Sequence, residues 1–489
     1  MDADRSVTGP HLARLLGSWR SSGPAYAALA RALRLLILDG RLPLRTRVPG
    51  ERDLAEALGV SRTTATAAYA ALRDEGFLAS RRGAGSWTRL PSDRVERKPE
   101  LSRLSSQSRG GGVGGEVIDL TCAATWAPAG ALHAALAAAT AELPRHLPEP
   151  GYDTAGLPVL REAIAAHLTA RGLPTVPEQV LVTAGAQHAL ALLLRVLAGP
   201  GDRVLTEHPS YPNALDAIRA VGARPVPVPM LEDGWDLDMV EATLRQAAPR
   251  MAYTIPDFQN PTGLTLRAED RERLVALART TRTPLVADET LAEVRLGGPA
   301  PPPPLAALDP GGETVVTVGS MSKAFWAGLR IGWVRASPTL VQRLAAARAT
   351  VDLSSPVVEQ LVATELLRDA APVLERQRAA ARARRDVLVA ALREHLPGWR
   401  FAVPDGGLSL WVELDASRSS ALAALADRHG VRVAAGPRFG VDGAFERFVR
   451  LPFALPEDVL EDAVPRLAAA WRAVTDGASA GPATPALVA

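Results

Sequence analysis

Val315-Val316-Thr317-Val318-Gly319-Ser320-Met321-Ser322-Lys323 is the stretch on which the reading of this chain turns. Four β-branched residues make a strand-type run, small residues make a turn, and the turn delivers a lysine. Lysine occurs only at Lys98 and Lys323 in 489 residues; arginine carries the rest of a Lys plus Arg total of 55. Arginine stays protonated and cannot form a Schiff base, whereas lysine can lose its proton and attack a carbonyl. Lys323 is therefore a candidate amine nucleophile, although on this fact alone a chance surface lysine explains it equally well. Lys98, in a polar stretch followed by Pro99, reads as a solvated linker charge.

Working outward, apolar strand-type runs alternate with amphipathic helical patterns over residues 116–475, which predicts an α/β fold. Val180-Leu181-Val182-Thr183 leads through Ala184-Gly185-Ala186-Gln187 into an apolar helix. A strand, a glycine turn and a helix start present free backbone N–H groups and suit a phosphate. Met251 to Ile255 precedes Asn260-Pro261-Thr262-Gly263, a turn that holds the Asn side chain in one direction. Pro284-Leu285-Val286-Ala287-Asp288 places a carboxylate at a strand's C-terminal end, where open α/β sheets bind ligands. Arg330 lies seven residues beyond Lys323. Each piece alone has an ordinary reading as a turn or a helix cap. Together they are what pyridoxal 5'-phosphate needs: a phosphate cradle, a ring-nitrogen acid, a phenolic-oxygen donor and an imine-forming lysine.

The order and spacing resemble fold-type I aminotransferases of class I/II across roughly residues 116–475. The resemblance includes Gly156-Leu157-Pro158-Val159-Leu160-Arg161-Glu162-Ala163-Ile164, Asn260-Pro261-Thr262-Gly263 and Ser320-Met321-Ser322-Lys323 with Gly328-Leu329-Arg330-Ile331-Gly332. It implies that Lys323 forms the Schiff base and that Asp288 pairs with the pyridine nitrogen. It further implies that Asn260 serves the phenolic oxygen, that Tyr211 stacks on the ring, and that Gly185, Ala186, Gln187, Ser320, Ser322 and Arg330 bind phosphate. Arg450, in Arg450-Leu451-Pro452-Phe453, would clamp the α-carboxylate of a substrate or effector; a plain surface arginine is the other reading. One departure stands out. Thr290 occupies the position, two residues after the acid, where the family usually places a tyrosine that also binds the phenolic oxygen.

Residues 24–90 carry a different pattern. Leu29, Leu33, Leu36 and Ile37 predict one helix, Leu54 and Leu58 a second ended by Gly59, and Ser61 caps a third. Two short helices joined at Gly59-Val60 read as a helix-turn-helix, whose third-helix start Arg62-Thr63-Thr64, with Thr66 a turn later, suits phosphates and base edges. Phe77 to Thr88 reads as a hairpin, with Arg81 and Arg82 beside its turn making a basic wing. A helical protein–protein module is the competing reading of the geometry. The sequence from Arg47 to Thr64, followed by Leu72-Arg73-Asp74-Glu75-Gly76-Phe77-Leu78, resembles the winged helix-turn-helix of the GntR family. That resemblance implies DNA contacts by Arg52, Ser61, Arg62, Thr63, Thr64, Arg81, Arg82 and Gly83. Gly50 stands where the family usually has serine, which removes one phosphate contact.

The expected organisation is an extension (1–23), a small α+β winged helix-turn-helix (24–90), a Gly-rich linker (91–115), a large α/β pyridoxal-phosphate-dependent transferase domain with a smaller C-terminal α+β subdomain (about 370–475), and a frayed tail (476–489). This order resembles the MocR subfamily of GntR regulators, which implies a head-to-tail homodimer, an operator in double-stranded DNA and a small amino compound as effector. Charge agrees: residues 1–98 carry 17 basic against 10 acidic side chains, while the whole chain has a net charge of +2. A basic arm on an acidic body fits an anionic partner. Hydrophobic content of 47% with 22% charged residues describes an ordinary globular chain. The single Cys122 excludes an internal disulfide framework, and no signal peptide, membrane span or metal site is expected. The expected location is cytoplasmic and nucleoid-associated. Three functions compete: a cofactor-dependent regulator with little or no turnover, a working aminotransferase with an accessory DNA-binding domain, and a DNA-binding protein that uses the large body as a dimerisation scaffold.

Overall fold

The structure, a computed structural model, describes residues 5–20, 23–81, 85–89 and 117–477. Arg82 and Gly83 of the expected wing, the expected 91–115 linker with Lys98, and the expected tail beyond residue 477 lie outside the described residues.

Strand β1 (Arg5–Ser6) and helix α1 (Gly9–Leu16) come from the segment expected to be an extension. Leu12, Leu15 and Leu16, at i, i+3 and i+4, join the buried core of the next three helices. Helix α2 (Ala25–Leu38) buries Leu29, Leu33, Leu36 and Ile37, the face its spacing predicts. Helix α3 (Glu51–Leu58) starts at Gly50 without a side-chain cap and ends on Gly59 at φ 62°, the left-handed turn that suits glycine. Ser61 caps α4 (Arg62–Asp74) by accepting the Thr64 N–H. With β2 (Thr46–Val48), β3 (Leu78–Arg81) and β4 (Gly85–Thr88), β1 forms a four-stranded sheet in the order β1-β2-β4-β3, in which β3 and β4 are the expected hairpin.

After β5 (Ile118–Leu120), the large domain builds an eight-stranded sheet from β6 (Val180–Thr183), β7 (Arg203–His208), β8 (Arg224–Leu231), β9 (Gly234–Trp235), β10 (Met251–Thr254), β11 (Leu285–Asp288), β12 (Val315–Ser320) and β13 (Gly332–Arg335). Its order is β6-β13-β12-β11-β10-β7-β8-β9, with β13 and β9 antiparallel to their neighbours and the rest parallel. Alternate residues enter separate cores: Leu285 and Ala287 face one helical layer, Val286 the other. Burial on both faces is why these strands read as continuous apolar runs. The C-terminal ends of β7, β10, β11 and β12 open on one edge and carry His208, Thr254, Asp288 and Ser320.

The smaller subdomain packs helices Ala370–His395 and Glu457–Thr475 on a sheet of β14 (Ser409–Glu413), β15 (Val431–Ala435) and β16 (Phe448–Pro452), in the order β14-β16-β15-β5. Its fourth strand is β5, drawn from the opposite end of the large domain and paired in parallel with β15. The DNA-binding-type domain touches the large one at the end of α2. The Phe445 N–H donates to the Leu38 carbonyl at 2.6 Å, and His208 Nδ1 lies 3.3 Å from the Gly40 carbonyl. Among the described residues no helix is long and apolar enough to cross a membrane, and no His, Cys, Asp and Glu cluster could hold a metal ion.

Candidate functional site

Lys323 sits in a single π-type turn, Ser322–Trp326, immediately after β12. Its Nζ donates to the Ala123 carbonyl at 2.7 Å, and Thr125 Oγ1 donates to the Lys323 carbonyl at 3.1 Å. Burial disfavours the ammonium and pushes the amine down to about 8. Asp288, buried at the end of neighbouring β11, has both oxygens oriented. Oδ2 accepts the Tyr253 hydroxyl at 2.7 Å and Oδ1 accepts the Thr290 N–H at 3.0 Å. Thr290 thus contributes its backbone.

The cradle forms where Gly185 (φ 83°) turns into the helix Ala186–Leu197. A Cβ on Gly185 would lie 2.7 Å from Arg330 Nη2, so only glycine lets the guanidinium lie across this turn. Arg330 Nη2 donates to the Ala184 carbonyl at 2.8 Å, and Ser320 Oγ lies 2.9 Å from Ser322 Oγ. Gln187 Nε2 donates to the Asn213 carbonyl at 3.2 Å, while its buried Oε1 has no hydrogen-bond partner. The Arg330 guanidinium thus lies beside a helix start that has no side-chain cap, an arrangement suited to an anion.

Arg450, on β16, is fully buried. Its Nη1 donates to Asn260 Oδ1 at 3.2 Å, its Nη2 donates to the Thr121 carbonyl, and its guanidinium lies 5.1 Å over the Phe439 ring. Burial lowers it to about 10. The surface-arginine alternative is thereby corrected, because a guanidinium with zero exposure that bonds Asn260 is internal. Tyr211 begins the helix after β7; its hydroxyl accepts Asn213 Nδ2 at 2.8 Å, and burial pushes it upward.

In the first domain Arg52, Ser61, Arg62 and Thr63 are exposed and Thr64 is half-buried. Ser61 Oγ is 2.8 Å from Thr64 Oγ1, so those hydroxyls cap α4 as well as facing outward. Thr66, expected on the outward polar face, instead donates to Glu51 Oε2 at 2.8 Å and ties α4 to α3. Arg81 ends β3 beside the wing turn. An exposed residue that the motif reading passes over is Arg47 on β2, whose guanidinium runs alongside Gly85 at the base of the wing.

Residues 25–87 match the bacterial regulatory proteins of the gntR family, and residues 137–467 match aminotransferase class I and II. The chain is 33% identical over 401 residues to the probable rhizopine catabolism regulatory protein MocR of Rhizobium meliloti, covering 77% of this chain and 78% of that protein. The chain belongs to the MocR-type regulators. The large domain of this MocR-type regulator is also 34% identical over 324 residues to 2-aminoadipate transaminase of Thermus thermophilus, covering 65% of this chain and 80% of that enzyme. Among solved structures it resembles the crystal structure of LysN, the α-aminoadipate aminotransferase of Thermus thermophilus complexed with N-(5'-phosphopyridoxyl)-L-leucine. The TM-score is 0.67 at 31% identity, over 74% of this chain and 93% of that one.

Three groups in the MocR-type site escape motif reading. Tyr253 orients Asp288 from the adjacent strand, a partnership that nothing in the local sequence signals. Ala123 and Thr121 contribute carbonyls, which carry no side-chain signal. Glu207, buried at the end of β7, accepts from Trp235 Nε1, Thr254 Oγ1, the Ile255 N–H and Gln259 Nε2, and so braces the Asn260 turn against the Tyr211 loop. Burial pushes it up to about 7.

Proposed function

We propose that the protein is a transcription regulator whose large domain binds pyridoxal 5'-phosphate and, with it, a small amino compound bearing a carboxylate. One observation carries this reading. Lys323, Asp288, the Gly185–Arg330 cradle and the buried Arg450 stand at one sheet edge of a chain whose first domain exposes Arg52, Arg62 and Thr63. The residues fit the cofactor. The cradle leaves the N–H groups of a helix start without a side-chain cap, the acid is already oriented, and the amine is poised near neutrality. When bound, the group supplies an aldehyde that takes an amine and a ring that draws electron density from it. Lys323 offers that amine. Asp288 would hold the ring-nitrogen proton, Arg330 with Ser320 and Ser322 would anchor the phosphate, Asn260 would serve the phenolic oxygen and Tyr211 would stack on the ring. Arg450 orients the carboxylate with a planar fork.

The regulator reading includes a head-to-tail homodimer, a double-stranded operator contacted by Arg52, Ser61, Arg62, Thr63, Thr64, Arg81, Arg82 and Gly83, and a cytoplasmic, nucleoid-associated location. Ligand acts by binding two arrangements of the two domains unequally. Operator affinity measured with and without pyridoxal 5'-phosphate, then with a panel of amino compounds, tests it; affinity indifferent to every ligand overturns it. A second reading, a working aminotransferase, is favoured by the complete set of amine, acid and carboxylate-binding arginine. Repeated turnover of an amino acid and keto acid pair by the purified protein would establish that reading instead.

A further inference from the structure

The end of α2 sits in a socket on the large domain. A Cβ added to Gly40 would lie 2.7 Å from Phe445 Cζ and 2.8 Å from His208 Cε1, at φ 72°. His208 Nε2 accepts the Val441 N–H at 3.0 Å, so its Nδ1 carries the proton and donates to the Gly40 carbonyl at 3.3 Å. Phe445, itself at φ 71°, donates its N–H to the Leu38 carbonyl. The last carbonyl of α2, at Leu38, and the Gly40 carbonyl just beyond the helix are thus met by the other domain, while Leu35, Leu36 and Ile37 are met within the first domain. Undocked, these two carbonyls would turn to water, so the docked and undocked arrangements differ by little hydrogen bonding and a ligand can bias them.

From this socket a continuous line of rings leads to Arg450. His208 and Phe445 meet edge to face at 4.7 Å, Phe445 and Trp411 at 6.0 Å, and Trp411 and Phe439 at 5.3 Å; Phe439 carries the Arg450 guanidinium. Trp411 on β14 stands directly opposite Arg450 on β16. A second, shorter connection is the loop from His208 to Tyr211, whose Ser210 N–H donates to the Phe439 carbonyl at 2.9 Å. We propose that this socket reads out the effector site: a carboxylate drawn to Arg450 shifts its guanidinium on Phe439, and the shift reaches the end of α2 through Trp411 and Phe445. The inference rests on the reading of Arg450 as the effector's carboxylate ligand. In a head-to-tail dimer the same socket would receive the partner's α2.

Hydrogen exchange of the full-length protein tests it, comparing N-(5'-phosphopyridoxyl)-L-leucine, which carries a carboxylate, with pyridoxamine 5'-phosphate, which does not. The leucine compound is expected to change exchange over residues 36–42 and 441–447 by about tenfold, the scale of ordinary site-to-site coupling, and the amine to leave it unchanged. Trp411→Leu should bind the leucine compound and lose the response, whereas Trp411→Phe should keep it. Gly40→Ala should raise exchange over residues 441–447 without any ligand. Binding of the leucine compound with no change at these segments overturns this inference alone, as does an undisturbed Gly40→Ala. Failure of the leucine compound to bind overturns the effector reading and this inference with it.

Discussion

Lys323 and Asp288 show how much a single position can be made to do. Burial lowers the Lys323 amine to about 8. Its neutral fraction therefore grows through pH 8 instead of pH 10.5. The rate at which apo-protein develops the visible band with pyridoxal 5'-phosphate should rise with a midpoint near pH 8. Lys323→Ala should show no band reducible by borohydride. Tyr253→Phe removes the hydroxyl from Asp288 Oδ2 and leaves a buried carboxylate oxygen without that donor. It should weaken cofactor binding, read by fluorescence titration, with little effect on DNA affinity. Glu207 gives a stability test with a definite sign. Its acid is raised from 4.5 to about 7 in the folded state, so its contribution is fully present below about 4.5 and lost as pH rises through 7. Wild-type stability over that window should fall more steeply than that of Glu207→Gln in denaturant titrations; equal slopes would remove the assignment. Sequence made Lys323 and Asn260 legible as rare side chains in motifs, Asp288 by its place at the end of β11, and Arg330 by its spacing from Lys323. Tyr253 and Glu207 were not, because their partners come from neighbouring strands far away in the chain.

At the scale of elements, helix ends carry the information. Gly59 and Ser61 fix the turn between α3 and α4, and both were readable because left-handed glycine and N-cap serine are local rules. Ser61→Ala should cost about 1 kcal/mol of domain stability through the lost Thr64 N–H bond, measured as a lower melting temperature. Arg62→Ala leaves that cap intact, and should weaken operator binding by about tenfold or more with an unchanged cofactor spectrum. Helix α1 was the reverse case. Thr8, Pro10, Leu12, Leu15 and Leu16 spell a short capped helix, but eight residues hold a helical shape only when packed, and the packing partner α3 is some forty residues on. Strand β5 was equally hidden, because an edge strand of three residues gains its identity from β15, over three hundred residues later.

At the scale of the molecule, the chain sets a DNA-reading domain against the strand ends of a cofactor fold, with contact at the foot of α2. The alternation of strands and helices announced the large architecture, and the GntR-like spacing announced the small one. The docking between them was beyond sequence, because Gly40, His208 and Phe445 belong to three separate segments and carry no motif. On the coupling proposed above, occupancy of the site would by itself change what this joint rests on, with no turnover required. One practical consequence comes from β5. The polypeptide enters the small sheet at Ile118, and within five residues has supplied the Thr121 carbonyl to Arg450 and the Ala123 carbonyl to Lys323. Any attempt to excise the catalytic-type half as a fragment has its cut site dictated by those two oxygens. A truncation starting after Ala123 would match the fold family almost end to end and yet remove a backbone acceptor from both Lys323 and Arg450.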